Sequence, residues 1–325
     1  MRPRLPAVAL AASLALSGCG LQAATEYTPD AVPAGIQPVA GAAGAEIVVG
    51  SKNFTEQLIL GKIATIALQA AGFEVVDRTN IPGSVPARQG LVEGTIGMEW
   101  EYTGTAWLSY LGEPQPIPDP QEQYEAVRDA DLVNGLTWLP PAPANNTYAF
   151  AVRSEAIPEL GGISTLSGLA ELPVEQRTIC VESEFASRND GLAPMLETYG
   201  IPLGDPQGVP RENIVTLDTG AVYEAIDQGA CNFGEVFATD GRIPALDLTP
   251  LEDDRDFFPS YNVAAVVGTD VLEQHPALAD VFAQVSPLLT DEVLQQLNAR
   301  VDVDGEEPAD VALDWMVSEG LVDRA

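Results

Sequence analysis

Histidine is almost missing from this chain. His275 stands alone in 325 residues, which excludes a histidine-based catalytic triad and a multi-histidine metal centre. Lysine is scarce as well, with Lys52 and Lys62 against thirteen arginines. The fifteen basic residues face 48 acidic ones, a formal charge of −33 with a pI near 4.1. A surface so acidic argues against nucleic acid, whose phosphates need a basic face. It equally argues against peripheral docking on anionic lipid. No G-x-S-x-G, P-loop, dinucleotide fingerprint, H-E-x-x-H or EF-hand spacing occurs, so no cofactor, metal or catalytic activity is expected. Glu99 and Glu101 flank Trp100 and superficially resemble a paired-carboxylate acid/base site. With no nucleophile, histidine or metal cluster beside them, they are read as solvated or salt-bridged carboxylates.

What is present begins with a targeting segment. Arg2 and Arg4 precede an apolar run from Leu5 to Leu16, of signal-peptide length and too short to span a bilayer, which needs roughly 20 apolar residues. The run ends in Leu16-Ser17-Gly18-Cys19, which resembles a lipobox. Residues 1–18 are therefore expected to be a signal peptide and Cys19 a lipidated N-terminus. Residues 19–45, rich in Ala, Gly, Pro and Thr without a period, read as a flexible tether. No later segment is long and apolar enough to cross a membrane, so the expectation is a monomer held on the extracytoplasmic face by its lipid anchor. In an oxidising compartment the remaining cysteines, Cys180 and Cys231, either pair as a disulfide or stay as two buried thiols.

The body alternates strands and helices. Glu46–Gly50 reads as a strand and Thr55 opens a helix with apolar Leu58, Ile59, Ile63 and Ile66 that Gly72 stops. Further strands are expected at 73–76, 95–100 and 145–153, with a helix over 84–93. The pattern then restarts: strands at 178–182, 213–217 and 232–237, helices near 164–171, 191–199 and 221–228. A strand at 262–267 and helices near 276–286, 290–297 and 308–318 close the chain. The β-α-β-α-β order predicts parallel strands in an α/β fold of two lobes, with ligand in the crevice beyond the strands' carboxyl ends.

Eight blocks, in order over residues 46–318, resemble the substrate-binding proteins of osmoprotectant ABC importers, which take glycine betaine, choline or carnitine. They include Ser51-Lys52-Asn53-Phe54-Thr55-Glu56-Gln57, Glu101-Tyr102-Thr103-Gly104-Thr105-Ala106, Asn145-Asn146-Thr147-Tyr148-Ala149-Phe150 and Thr239-Asp240-Gly241-Arg242-Ile243. The resemblance implies a type II periplasmic-binding-protein fold that closes on its ligand and delivers it to a membrane permease. Lobe I would comprise 46–149 plus 256–325 and lobe II 150–255, joined by a two-strand hinge.

A quaternary ammonium cannot donate a hydrogen bond, so it is held by dispersion and by the negative faces of aromatic rings. With only 6% aromatics, ring placement is informative. Tyr102, Tyr148 and Tyr223 fall at strand–helix edges and, by resemblance, on the family's cage positions; Trp100 shares the strand face of Tyr102. A fourth tyrosine of related proteins falls near Leu246, which is not aromatic here; Phe237, Trp100 or Tyr261 completes the cage, or the ligand differs. For an anionic end, Arg188 occupies the family's carboxylate-binding position and Lys52 another ligand-contacting one. Thr105 and Asn146 are polar neighbours on matching positions, Thr105 pointing to a zwitterion or broad specificity because choline-selective relatives carry an acid there. Arg242 is read as structural, paired with a lobe carboxylate. Two alternatives stand beside this reading: another betaine such as ergothioneine as cargo, and, more distantly, a surface lipoprotein enzyme acting on a cationic small molecule.

Overall fold

The computed structural model describes residues 27–325; the leader 1–18 and Cys19 lie outside the described residues. Twelve strands are formed among them: β1 (Ala31–Pro33), β2 (Glu46–Lys52), β3 (Glu74–Ile81), β4 (Met98–Tyr102), β5 (Leu136–Trp138), β6 (Tyr148–Arg153), β7 (Ile179–Glu182), β8 (Ile214–Leu217), β9 (Phe233–Phe237), β10 (Leu248–Pro250), β11 (Val263–Gly268) and β12 (Val322–Arg324). One five-stranded sheet has the order β3-β2-β4-β11-β5, a second the order β10-β6-β9-β7-β8, and β1 pairs with β12.

Each sheet is mixed. The expected parallel pairs form between β2 and both β3 and β4, and between β7 and both β8 and β9. β11 runs antiparallel to β4 and β5, and β6 antiparallel to β9 and β10. These antiparallel strands are the ones that enter or re-enter a sheet after the chain has passed between the two units, so no helical crossover fixes their direction.

Helix α1 (Thr55–Ala70) shows why the first unit holds together. Ile59, Leu60, Ile63, Ala64, Ile66, Ala67 and Leu68 are all fully buried, because α1 is covered by the first sheet on one side and by the helices Asp291–Asp302 and Pro308–Ser318 on the other. Gly72, at φ 95°, reverses the chain directly after it. A separate apolar core built on Phe150, Ile179, Val181, Phe185, Leu196 and Phe233 sits in the second unit. Cys180 on β7 is disulfide-bonded to Cys231, two residues ahead of β9.

Of the segment 19–45, expected to be a flexible tether, the part from β1 onward is folded. β1 pairs with the C-terminal strand β12, and Ile36 donates its backbone N–H to Leu321 O at 2.8 Å. Ile36 and Ala42 are buried in the first unit's core. Two apolar side chains with somewhere to go outweigh a linker-like composition, a fact no local pattern reports.

The two passages between units run side by side. Asn145 forms an isolated bridge with Asn262, and its Oδ1 accepts the backbone N–H of Tyr261 at 2.6 Å.

Candidate functional site

A cavity of about 660 Å³ lies between the units. Five rings line it. Phe54 sits in the turn between β2 and α1, Tyr102 ends β4, Tyr148 opens β6, Phe237 ends β9, and Tyr261 lies on the return passage. They form one chain of contacts: Phe54 stacks on Tyr102 (centroids 6.2 Å) and, across the units, on Phe237 (5.3 Å). Tyr148 touches Phe237 at 5.3 Å and meets Tyr261 edge-on at 5.3 Å.

Glu56, the second residue of α1, lines the same cavity and is only 2% exposed. Its carboxylate accepts from Tyr102 OH (2.7 Å), Asn146 Nδ2 (2.9 Å), Asn298 Nδ2 (3.1 Å) and Thr239 Oγ1 (2.5 Å). Burial lifts its pKa above the ordinary carboxylate range and the four donors pull only part of the way back. Because Thr239 follows β9 in the second unit, this knot also ties the units together.

The cations in the wall are all engaged. Lys52 Nζ lies 2.6 Å from Glu101 Oε1 and 5.0 Å from the Tyr102 ring centroid, and Tyr110 OH donates to the same Glu101 carboxylate at 2.7 Å. Arg188 forks onto Asp190 through Nε (2.7 Å) and Nη2 (2.5 Å), and its Nη1 reaches Glu184 at 3.2 Å. Its guanidinium lies 5.6 Å from the Tyr148 ring centroid, while Tyr261 OH donates to Asp190 at 2.8 Å. Arg242 pairs with Asp240 beside it and with Asp302 of the first unit at 3.5 Å.

Of the residues singled out from sequence, Lys52, Tyr102, Thr105, Asn146, Tyr148 and Arg188 line this cavity. Trp100 and Tyr223 do not. Trp100 shares the face of Tyr102 but lies two residues deeper, about 6.6 Å along the strand. There its ring meets Phe282 edge-on at 5.6 Å inside the first core. Tyr223 is turned inward from its helix (Thr219–Asp227) into a further apolar cluster of the second unit, with Ala151, Val222, Ile226 and Val236, its hydroxyl accepting the backbone N–H of Phe237 at 2.9 Å. It buttresses a cavity ring instead of being one. Phe54 and Glu56 had not been assigned a role, although both stand inside the Ser51–Gln57 motif; their position at a strand-to-helix turn was the available signal.

Two α/β units joined by paired passages, with a ring-lined cavity between them, define a ligand-binding protein of the type II periplasmic class. The solved structure titled "Crystal structure of glycine betaine/carnitine/choline ABC transporter" superposes with a TM-score of 0.68 at 26% identity, covering 84% of this chain and 98% of that one. The model of the family described as the substrate binding domain of ABC-type glycine betaine transport systems matches residues 45–318. The glycine-betaine-binding protein of Pseudomonas aeruginosa is 38% identical over 293 residues, 87% of this chain and 91% of that one. The glycine betaine-binding protein YehZ of Escherichia coli is 32% identical over 284 residues, 86% and 92% of the two chains. The chain thus belongs to the substrate-binding proteins of betaine-type ABC importers.

Proposed function

We propose that the cavity captures a quaternary ammonium osmolyte of the glycine betaine, choline or carnitine kind and presents it, on closure, to an ABC permease. The observation that carries this reading is the convergence of Phe54, Tyr102, Tyr148, Phe237 and Tyr261 on one cavity. A methylated ammonium offers no proton to a hydrogen-bond acceptor, and ring faces contribute about 0.5–2 kcal/mol each when water is excluded. Several such contacts reach the roughly 8 kcal/mol of a micromolar ligand. Lining carboxylates outnumber the lining cations and deepen the negative potential around them. Lys52, Thr105, Asn146 and Arg188 are the polar ligand-side residues of this reading, and Trp100 and Tyr223 act behind the wall.

In the same reading Cys19 carries the lipid that holds a monomer outside the membrane. Residues 46–149 with 256–325 form one moving lobe and 150–255 the other. Titration calorimetry against choline, glycine betaine, carnitine and ergothioneine tests the cargo. Micromolar binding of at least one of the first three is expected. Heat with ergothioneine alone would move the proposal to that cargo, and no binding of any would end it.

A further inference from the structure

The anion-seeking groups of the cavity already hold an anion, and it belongs to the protein. Glu184 lies in the short helix Ser183–Ser187 of the second unit and reaches across to the first. Its Oε2 accepts the backbone N–H of Ser84 at 3.0 Å and its Oε1 the Ser84 hydroxyl at 2.5 Å. Ser84 is the first residue of α2 (Ser84–Val92), so the carboxylate meets the positive end of that helix. Nη1 of Arg188 lies 3.2 Å from Oε1. Burial alone would raise the Glu184 pKa. The charge of Lys52, the Ser84 donors and Arg188 outweigh it and hold the carboxyl below its ordinary range, so it is ionised at neutral pH.

Lys52 and Arg188 are the two cations expected to receive a ligand's carboxylate; Arg188 and the N-terminus of α2 contact Glu184 directly, and the charge of Lys52 favours its ionised form. Lys52 itself is paired with Glu101, and Arg188 also forks onto Asp190. A ligand carboxylate entering this corner would either displace Glu184 or lie against it, and two carboxylates sharing a site repel each other. A ligand bearing a hydroxyl in place of the carboxylate could donate to it.

We propose that Glu184 is a specificity-determining residue: it fills the anion subsite when the units are closed, so the cavity selects a carboxylate-free quaternary ammonium such as choline over a betaine. This rests on the cavity taking a quaternary ammonium at all. The test is calorimetry with choline and glycine betaine on the wild-type protein, Glu184→Gln and Glu184→Ala. Wild type should bind choline at least about tenfold more tightly than glycine betaine. Either substitution should collapse that ratio by strengthening glycine betaine about fivefold or more while choline holds or weakens. A merely structural latch would instead weaken both ligands in parallel, and that result would overturn the proposal. So would a wild-type preference for glycine betaine, which decides the matter even if the variants fail to fold. Silence of the wild-type protein toward both ligands would overturn this inference, whereas the cation-capture reading falls only if carnitine and ergothioneine are silent as well.

Discussion

Glu99, the second residue of β4, has both carboxyl oxygens buried and without a hydrogen-bond partner, so it is neither solvated nor salt-bridged as its sequence context suggests. Burial is the chief reason its pKa is pushed up to about 8; the charge of Glu101 adds to it and Lys52 and Arg88 oppose it. Glu235 on β9 is likewise pushed to about 8, mainly by burial. In the unfolded chain both titrate near 4.5. Between the two values the folded protein binds more protons than the unfolded one, so stability falls as pH rises through this window and levels off above it. The thermal midpoint should therefore be higher at about pH 5 than at about pH 8.5, and Glu99→Gln should flatten that slope; a midpoint that rises over the interval would contradict the assignment. Among the rings, Tyr148→Ala and Phe237→Ala should each weaken ligand by about 1–3 kcal/mol, read by calorimetry. Tyr223→Phe should lower stability by about 1 kcal/mol through the lost bond to the Phe237 backbone, with a smaller effect on binding. The sequence made the cavity positions of Tyr102, Tyr148 and Lys52 legible because motif and strand end coincide there, and that of Arg188 through its motif alone, since it follows the short helix Ser183–Ser187. It misled at Trp100, since pleat alternation reports which face a side chain takes and says nothing of its depth. At Tyr223 a helix edge was read as pointing to the cleft when its apolar stripe points to the sheet.

Long amphipathic or wholly buried elements were readable, short ones were not. The helices at Thr55–Ala70 and Pro308–Ser318 follow from apolar spacing alone. The three-residue strands β5, β10 and β12 carry no period to detect, and each exists because a neighbouring strand offers its edge. The helix Pro120–Asp131 had signals, an Asp119 cap accepting from Gln121 and Glu122 and a proline at its first position, inside a stretch left unassigned. The disulfide ties β7 to the start of β9 across a separation of 51 residues. Reducing it, or replacing both cysteines by alanine, should cost about 3–4 kcal/mol through the freedom returned to the unfolded chain. Thermal melts with and without reductant measure this. Ligand affinity of the folded protein should change little, because neither cysteine lines the cavity.

At the scale of the molecule, the units are held closed by the Phe54–Phe237 stack and by polar contacts. Glu56 with Thr239, Glu184 with Ser84, Arg242 with Asp302, and Asn189 donating to Leu108 O at 2.8 Å all span the cleft. Such contacts are individually weak in water and gain strength as the cleft dries, which suits a hinge that must also reopen. The two-unit architecture was visible in the restart of the strand–helix alternation, but the partners across the cleft lie far apart in sequence, Ser84 and Glu184 by 100 residues and Glu56 and Thr239 by 183, and no local pattern announces them. The most direct test compares choline with its uncharged analogue in which a quaternary carbon replaces the nitrogen. The two share shape and apolar surface, so the difference isolates the attraction between the positive charge and the rings with their surrounding carboxylates. Calorimetry should show choline binding at least about tenfold more tightly, more than about 1.4 kcal/mol. Equal affinities would mean that the cavity selects methyl groups by size and that its rings do not recognise a cation.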